Sequence, residues 1–313
     1  MTDVPERAIA VELRGLTKVY GDVRALDGVE LSVPVGSVFG FLGPNGAGKT
    51  TTLRILTGLA RPTAGVARVL GTDVSDATND VRAEIGFLPD VPGFYDWMTA
   101  REFLTFAGSL FGVGGAVLSE RAEALLGLAG LADVGTRIGG YSRGMRQRLG
   151  VAQALINAPK LLMLDEPTSA LDPIGRKEVL EMIASLAGRT TVLFSTHILA
   201  DVERVCDTVA ILDRGRVVVQ APMAELTRHT GAQRLLVEVT GDADALAAQF
   251  AAAPWASSAV RDGGLLTLTV NDLDAARRAV PVAVAAAGVG LVRLEQVEAA
   301  LEDVFVELVG GER

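Results

Sequence analysis

Short apolar segments alternate with amphipathic helical segments along most of the chain. Residues 29–33 alternate apolar and polar side chains, which is typical of a half-buried strand, and Val38–Leu42 is a continuous apolar run that leads into glycine. We predict a first strand over residues 9–16 and a helix that begins near Lys49. Strands that alternate with helices indicate a sheet covered by helices, so the predicted fold class is α/β.

The pattern changes to helix between about residues 90 and 158. Residues 98–110 and 119–131 have apolar side chains at three- and four-residue spacing, which is typical of amphipathic helices. Strand patterns return at residues 161–164, 192–195, 209–212 and 217–219. A turn at residues 213–215 joins the last two strands as a hairpin. We interpret residues 1–228 as one domain with a β-rich N-terminal part and a helical insertion.

Residues 229–313 are predicted to form a small accessory α+β domain. Strand patterns at residues 235–239, 265–270 and 291–294 are separated by an alanine-rich helix and by a helix from Asp272. A last helix is predicted from Ala299. The β-α-β-β-α-β order that we infer is that of a ferredoxin-like domain.

Composition and charge narrow the choice of partners. The net charge of −9 disfavours a general electrostatic attraction to nucleic acid or anionic lipid, so any phosphate site must be local. The longest uncharged apolar segment, residues 279–292, is shorter than the ~20 residues of a membrane helix. Residues 1–11 lack the build of a secretory signal, and the single cysteine, Cys206, cannot form an internal disulfide. We therefore expect a cytoplasmic protein.

A glycine-rich segment follows the apolar run Val38–Leu42. The pattern G-x-x-x-x-G-K-[ST] is fitted by Gly43, Pro44, Asn45, Gly46, Ala47, Gly48, Lys49 and Thr50. Glycines let backbone amides surround a phosphate, and the helix N-terminus behind them adds about half a positive charge. Lys49 is expected to bridge the β- and γ-phosphates, and Thr50 to offer its hydroxyl to Mg²⁺. We expect this segment, together with Thr51, to bind a nucleoside triphosphate; a simple glycine-rich turn is the alternative.

Two adjacent carboxylates, Asp165 and Glu166, end the apolar strand at residues 161–164. Adjacent residues at a strand end point in different directions. Asp165 can therefore reach Mg²⁺ through its water shell, while Glu166 faces an attacking water as general base. A solvated acidic turn is the alternative interpretation.

Further motifs complete an ordered series. Ser142 precedes a helix with apolar residues at 4-3-4 spacing and is a candidate N-cap, which alone would indicate an ordinary capped helix. Over roughly residues 9–222, the chain resembles the ATPases of ABC (ATP-binding cassette) transporters. The resemblance rests on motifs that occur in the same order: the phosphate loop, Ser142-Arg143-Gly144, the acidic strand, Ser169-Ala170-Leu171-Asp172 and Ser195-Thr196-His197. The resemblance implies a P-loop NTPase (RecA-like) core.

The resemblance also implies how the site is assembled. Two copies of the chain would meet head to tail around two ATP molecules, with Ser142 and Gly144 touching the γ-phosphate held by the partner's loop. His197 would contact the γ-phosphate and position Glu166, and Asp172 would link the two sites, with helix capping as its alternative role. Tyr20, placed in the loop after the first strand, would stack on adenine; packing is its alternative.

Two positions depart from the family pattern. Arg143 and Met145 stand where many members have glycine and glutamine, although Ser142 and Gly144 remain. Asp90 stands where the family usually has a glutamine that reaches Mg²⁺ and senses the membrane partner. A carboxylate could still contact the hydrated metal, but it adds negative charge near the other acidic residues.

These variations and the ending at residues 301–308 resemble exporter ATPases, which pair with multi-span permeases to move drugs, antibiotics, lipids or polysaccharide. The resemblance implies a subunit that is peripheral on the inner face of the cell membrane. The segment after Asp90, with Phe94, Tyr95, Trp97 and Met98, is the candidate permease contact, because aromatic residues and methionine suit an interface; local packing in the helical insertion is the alternative. The alternative is a soluble ABC-type clamp on ribosomes or DNA. The single cassette, the lack of a coiled coil and the acidic charge disfavour it. A metabolic kinase would not explain Ser142, Gly144 and His197 together.

Overall fold

The structure is a computed structural model that describes residues 8–76, 81–229, 233–241 and 243–297. The predicted helix from Ala299 and the ending at residues 301–308 lie outside the described residues. The chain divides into two compact units, Met1–Met223 and Ala224–Arg313. The boundary at 228/229 drawn from sequence falls near the end of helix α7 (Met223–His229).

An antiparallel sheet begins the first unit, with strands in the order β2-β1-β4-β5. Its strands are β1 (Ile9–Tyr20), β2 (Val23–Pro34), β4 (Ala64–Val69) and β5 (Thr72–Asp73). Residues 29–33 alternate buried and exposed, which confirms the predicted half-buried strand. Tyr20 is the last residue of β1 and not a loop residue as expected, because its pairing with Val23 continues the ladder to the turn.

A second sheet follows the strand order β10-β9-β3-β8-β7-β6. The strands are β3 (Val38–Leu42), β6 (Ile85–Leu88), β7 (Leu161–Asp165), β8 (Thr191–Thr196), β9 (Thr208–Asp213) and β10 (Arg216–Pro222). All neighbours pair in parallel except β9 and β10. β3, β7 and β8 are buried along their whole length, as expected of parallel strands covered on both faces. Arg214 and Gly215 form the predicted hairpin turn with φ angles of 45° and 78°.

The helices of this unit are α1 (Lys49–Leu56), α2 (Ala100–Leu110), α3 (Gly115–Leu128), α4 (Arg143–Ala154), α5 (Pro173–Ala184) and α6 (Leu199–Val205). α1 begins at Lys49 as predicted, and its apolar side chains share one core with both sheets. A capping box of Thr99 and Glu102 starts α2. α3 ends at Leu128 and not at 131, because Gly130 adopts a left-handed φ of 64° just beyond it.

The second unit has the predicted β-α-β-β-α-β order. Its elements are β11 (Gln233–Val239), α8 (Asp244–Ala251), β12 (Ala256–Asp262), β13 (Leu265–Val270), α9 (Leu273–Ala286) and β14 (Leu291–Val297). The antiparallel sheet has the order β12-β13-β11-β14, which is the ferredoxin-like arrangement. Phe250 of α8 and Val280 of α9 lie in one core with the buried face of this sheet.

Candidate functional site

The phosphate-loop residues, Gly43 to Thr51, connect β3 to the first turn of α1. Gly48 precedes the helix with φ 111°, and an added Cβ there would lie 2.7 Å from the Ala25 carbonyl oxygen. A Cβ at Gly43 would lie 2.2 Å from the Leu212 carbonyl oxygen. Glycine is therefore required at both positions, and the loop backbone can turn tightly at the N-terminus of α1, where anions are favoured.

Lys49 places its ammonium group inside this loop. Its side chain is 6% exposed, and Nζ donates hydrogen bonds to the Gly43 carbonyl (2.6 Å) and the Pro44 carbonyl (3.2 Å). Nζ also lies 3.3 Å from Glu166 Oε1. The structure thus brings the phosphate-loop lysine and the candidate base together, as the order of the motifs suggested.

Asp165 lies at the carboxyl end of β7, beside Ser195 at the end of the parallel strand β8. It is 2% exposed, and its Oδ1 accepts hydrogen bonds from Ser195 Oγ (2.6 Å) and Thr50 Oγ1 (3.2 Å). Burial raises the pKa of the Asp165 carboxyl above its usual value, and the negative charges of Asp90 and Glu166 raise the pKa further. The hydrogen bonds from Ser195 and Thr50 oppose this shift.

Asp90 is an exposed residue two positions beyond β6, the strand that pairs with β7. Its charge is among the causes of the raised pKa of Asp165, so the two carboxylates lie within electrostatic range. Thr50, Asp165 and Asp90 therefore form a group of oxygen donors at one edge of the sheet. Oxygen donors of this kind suit Mg²⁺.

Glu166 follows directly after β7 and adopts a left-handed φ of 49°, which is uncommon for a residue other than glycine. Its amide donates to the carbonyl and hydroxyl oxygens of Ser195, each at 3.1 Å. These bonds turn the carboxylate toward Lys49 on one side and His197 on the other, where His197 Nδ1 lies 2.8 Å from Glu166 Oε2. Backbone conformations of this type cluster at functional sites.

Ser142, Gly144 and Asp172 form a second group, at the N-termini of two neighbouring helices. Ser142 Oγ accepts a hydrogen bond from the Met145 amide (3.2 Å) and caps α4, as predicted. Asp172 Oδ1 accepts from the Gly175 amide (3.1 Å) and caps α5, which was the alternative considered for it. A Cβ on Gly144 would lie 3.6 Å from Gly175 Cα, so the two helix N-termini pack side by side.

In the described part of the chain, this second group makes no hydrogen bond to the phosphate loop. Ser142 and Asp172 are exposed and lie on one surface. The geometry is compatible with these residues acting on a nucleotide held by another subunit.

Tyr20 is exposed at the end of β1, and Lys18 Nζ lies 4.7 Å from the centre of its ring. The ring is therefore not packed in the core, which was the alternative to adenine stacking.

Sequence reasoning did not identify the role of Ser195 or the hydrogen-bonded group of Thr168, Arg176 and Asp201. Ser195 holds both acidic residues of the site, since its hydroxyl donates to Asp165 and accepts from the amide of Glu166. The signal available in the sequence was the serine two residues before His197, at the end of a buried strand.

Comparison with known proteins decides the family. A family model described as ABC transporter matches residues 26–169. The chain is 40% identical over 301 residues to the uncharacterized ABC transporter ATP-binding protein YxlF of Bacillus subtilis, covering 96% of this chain and 99% of that protein. The chain belongs to the ABC transporter ATP-binding protein family.

Other members of the ABC family support this assignment. The daunorubicin/doxorubicin resistance ATP-binding protein DrrA of Streptomyces peucetius is 42% identical over 237 residues, covering 75% of this chain and 71% of that protein. A dimeric structure of an ATP-binding cassette in a post-hydrolysis state, bound to ADP and Pi, superposes with a TM-score of 0.62 at 26% identity, covering 68% of this chain and 98% of that one. This ABC chain thus has the P-loop NTPase fold and is an ATP-binding, ATP-hydrolysing subunit of an ABC transporter.

Among the described residues, none of the helices has the length and hydrophobicity that a transmembrane span requires.

Proposed function

We propose that this ABC subunit hydrolyses ATP with Lys49, Glu166 and His197 and drives export through a separate permease. The observation that supports it most is the position of the Glu166 carboxylate, 3.3 Å from Lys49 Nζ and 2.8 Å from His197 Nδ1. A carboxylate beside a phosphate-loop lysine is suitably placed to act on a water that attacks the terminal phosphate.

In this proposal the phosphate loop from Gly43 to Thr51 binds the phosphates of ATP through its amides, and Tyr20 stacks on adenine. Lys49 exchanges its bonds to loop carbonyls for bonds to the β- and γ-phosphates. Such an exchange costs little, because one set of charge-assisted hydrogen bonds replaces another.

Glu166 acts as the general base in the chemical step. It accepts a proton from water while the water oxygen bonds to the γ-phosphorus. The bond from phosphorus to the β–γ bridging oxygen breaks, leaving ADP and inorganic phosphate. His197 holds the Glu166 carboxylate through Nδ1, and in this proposal it would also contact the γ-phosphate.

Mg²⁺ fits the oxygen donors Thr50, Asp165 and Asp90, and when bound it would neutralise charge on the phosphates. In the described residues, no three His, Cys, Asp or Glu side chains converge as a metal cluster. The remaining ligands would therefore be phosphate oxygens and water, as is usual for Mg²⁺ at a nucleotide.

A second copy of the chain would complete each site. Ser142, Gly144 and Asp172 lie together at paired helix N-termini, and such N-termini favour the negative charge of a phosphate. The similar cassette bound to ADP and Pi is a dimer. We infer that ATP joins the surface of one subunit to the phosphate loop of the other.

The permease would contact an aromatic cluster that consists of Phe94, Tyr95, Trp97, Phe103 and Phe106. The centres of neighbouring rings lie 5.2 to 6.4 Å apart, and Trp97 is 63% exposed. Aromatic residues are enriched at protein interfaces. Between these residues, the backbone carbonyl of Asp96 accepts a hydrogen bond from the Gly139 amide, and the Asp96 carboxylate pairs with Arg146 of α4 at 2.9 Å. A displacement of this cluster would therefore be transmitted to α4, the helix that Ser142 caps.

The cargo would be a drug, antibiotic, lipid or polysaccharide. The similarity to the daunorubicin/doxorubicin resistance protein supports this class. The subunit would then be peripheral on the inner face of the cell membrane, attached through its permease.

The test is a pull-down of the tagged protein from native membranes in mild detergent, with mass spectrometry of the partners. We expect a stoichiometric multi-span permease, and we expect Trp97→Asp to lose it while Val117→Asp, at another exposed apolar position, retains it. Both variants should keep the ATPase activity of the isolated subunit. A ribosomal or DNA-bound partner with no membrane protein would contradict the exporter proposal.

A further inference from the structure

A buried carboxylate, Asp201, lies behind the candidate site and has no part in the chemistry proposed above. It is 0% exposed, and both of its oxygens are engaged. Oδ2 accepts a hydrogen bond from Thr168 Oγ1 at 2.5 Å, and Oδ1 accepts one from Arg176 Nε at 2.5 Å. Burying a charge is costly unless it is paired and hydrogen-bonded, and this carboxylate is both.

The three residues belong to three segments that carry the functional residues. Thr168 lies two residues after Glu166 in the loop between β7 and α5. Arg176 lies in the first turns of α5, and its amide donates to the carbonyl of the N-cap Asp172 at 2.9 Å. Asp201 lies in the first turn of α6, four residues after His197.

The loop after β7 is held in an unfavourable backbone conformation. Glu166 and Ala170 both have left-handed φ angles, 49° and 52°. Such conformations persist only where the surrounding structure holds them. Ser195 fixes the start of this loop through the Glu166 amide, and Asp201 fixes its middle through Thr168.

The 2.8 Å contact between Glu166 and His197 joins this loop to the segment before α6. It depends on the relative placement of two segments that Asp201 connects directly. Small displacements of catalytic groups reduce turnover strongly, because the reacting atoms must be held in a narrow range of positions.

We propose that Asp201, together with Thr168 and Arg176, is a positioning residue that keeps the Glu166 carboxylate within hydrogen-bond distance of His197. This inference rests on the proposed roles of Glu166 and His197. Among the described residues, the side-chain partners of Asp201 are Thr168 and Arg176 and not residues of the phosphate loop, so its effect should fall on turnover and not on nucleotide binding.

The test compares Thr168→Val, which keeps the shape but removes the hydroxyl, with Thr168→Ser, which keeps the hydroxyl. We expect Thr168→Val to lower kcat by roughly 10- to 100-fold, the range for misplaced catalytic groups, with the affinity for a fluorescent ATP analogue unchanged. Thr168→Ser should retain most of the turnover. Asp201→Asn should behave as Thr168→Val does, but it leaves Arg176 without a counter-charge, so the threonine pair is the safer comparison.

Thr190→Val is the matched control. Thr190 is a buried threonine of the same unit whose hydroxyl donates to the Pro159 carbonyl at 2.8 Å, away from the ends of the strands that carry the site. It should lose thermal stability as Thr168→Val does but keep its kcat. Equal turnover in the two valine variants would overturn the proposal, as would a parallel loss of nucleotide affinity and kcat in Thr168→Val.

Glu166→Gln is assayed alongside. If its turnover equals that of the wild type, the role of Glu166 fails and this inference fails with it. If Glu166→Gln loses turnover while Thr168→Val keeps it, only the positioning role of Asp201 is wrong.

Discussion

Glu166 is the residue on which the chemical step depends most directly. We predict that Glu166→Gln lowers ATP turnover by ~10²–10⁴-fold, because the amide has the same shape but cannot accept the proton of water. Nucleotide binding should persist, since the substitution leaves the phosphate loop and Lys49 unchanged. Turnover and nucleotide titration check the prediction, with Glu120→Gln on the exposed surface of α3 as control. Unchanged turnover in Glu166→Gln would remove its assignment as the base.

The burial of Asp165 disfavours the charged form of its carboxyl group. Its pKa in the folded protein is raised, chiefly by burial, so the folded state binds this proton more tightly than the unfolded chain does. The free energy of unfolding contributed by this group therefore falls as pH rises from the unfolded pKa, about 3.9, through the folded pKa. At pH values above the folded pKa, the full free-energy cost of burying the charged carboxylate is present.

We predict that Asp165→Asn increases the free energy of unfolding of the nucleotide-free protein at pH 7, and that the gain disappears toward pH 4. The asparagine oxygen can still accept hydrogen bonds from Ser195 and Thr50, while the buried charge is removed. Urea unfolding with a chelator present, at several pH values, measures the difference. Asp133→Asn, at an exposed position, should show no such gain. A less stable Asp165→Asn at pH 7 would contradict the predicted sign.

At the residue scale, short sequence motifs were sufficient to predict which side chains lie at the candidate site. The phosphate-loop and acidic-strand motifs predicted that Lys49, Asp165 and Glu166 meet, and the resemblance to ABC transporter ATPases added His197. The structure brings the four residues together. The residues that hold them were not predicted. Asp201 and Thr168 are 33 positions apart and come into contact only when the loop after β7 packs on α6.

At the scale of elements, the close packing of β6 against α4 limits which side chains are tolerated at the contact. A Cβ added to Gly86 of β6 would lie 2.0 Å from the carbonyl oxygen of Ala154 in α4. We predict that Gly86→Ala destabilises the protein by about 1–3 kcal/mol, because either the strand or the helix must shift. Chemical unfolding measures this loss.

Gly127→Ala is the matched control for this effect. Gly127 lies in α3, and an added Cβ there meets nothing within 4 Å. This substitution should stabilise the protein by about 0.5–1 kcal/mol through the higher helix propensity of alanine. If both alanine variants shift stability in the same direction, β6 and α4 do not pack this closely.

Elements with strong periodicity were predicted from sequence, and those without it were missed. β3 and β7 are uninterrupted apolar runs, and both appear where expected. β12 (Ala256–Asp262) was not placed, because it is a largely exposed edge strand whose residues show no apolar alternation. Tyr20 was placed outside β1 because nothing in its local sequence shows that cross-strand pairing continues to Val23.

At the scale of the molecule, each unit has a core of its own. One core draws on both sheets of the first unit and on α1, and the other draws on β11, β13, α8 and α9. We propose that residues 1–228 form the ABC ATPase domain and residues 229–313 an accessory domain. A fragment of residues 1–228 should therefore bind ATP as the full chain does. Nucleotide titration and circular dichroism of the fragment check this, and a fragment that fails to fold would place the boundary elsewhere.

In the proposed ATP-dependent dimer, each nucleotide would contact both subunits. Ser142 lies on the surface formed by the N-termini of α4 and α5, and it would act on ATP held by the other subunit. We predict that Ser142→Arg, in a Glu166→Gln background that retains ATP, abolishes the ATP-dependent dimer while leaving nucleotide binding by the monomer intact. Light scattering with and without ATP measures the dimer.

The cost of losing the α4 cap, about 1 kcal/mol, must be separated from the loss of the dimer. Ser142→Ala removes the same cap without adding bulk or charge, so its thermal stability sets the reference for Ser142→Arg. Ser119→Arg adds the same side chain to an exposed position of α3 and should dimerise normally. If Ser142→Arg loses nucleotide binding as a monomer, Ser142 serves the site of its own subunit. Loss of the dimer alone would support a site that two subunits share, because only then does one surface residue control association without touching its own nucleotide.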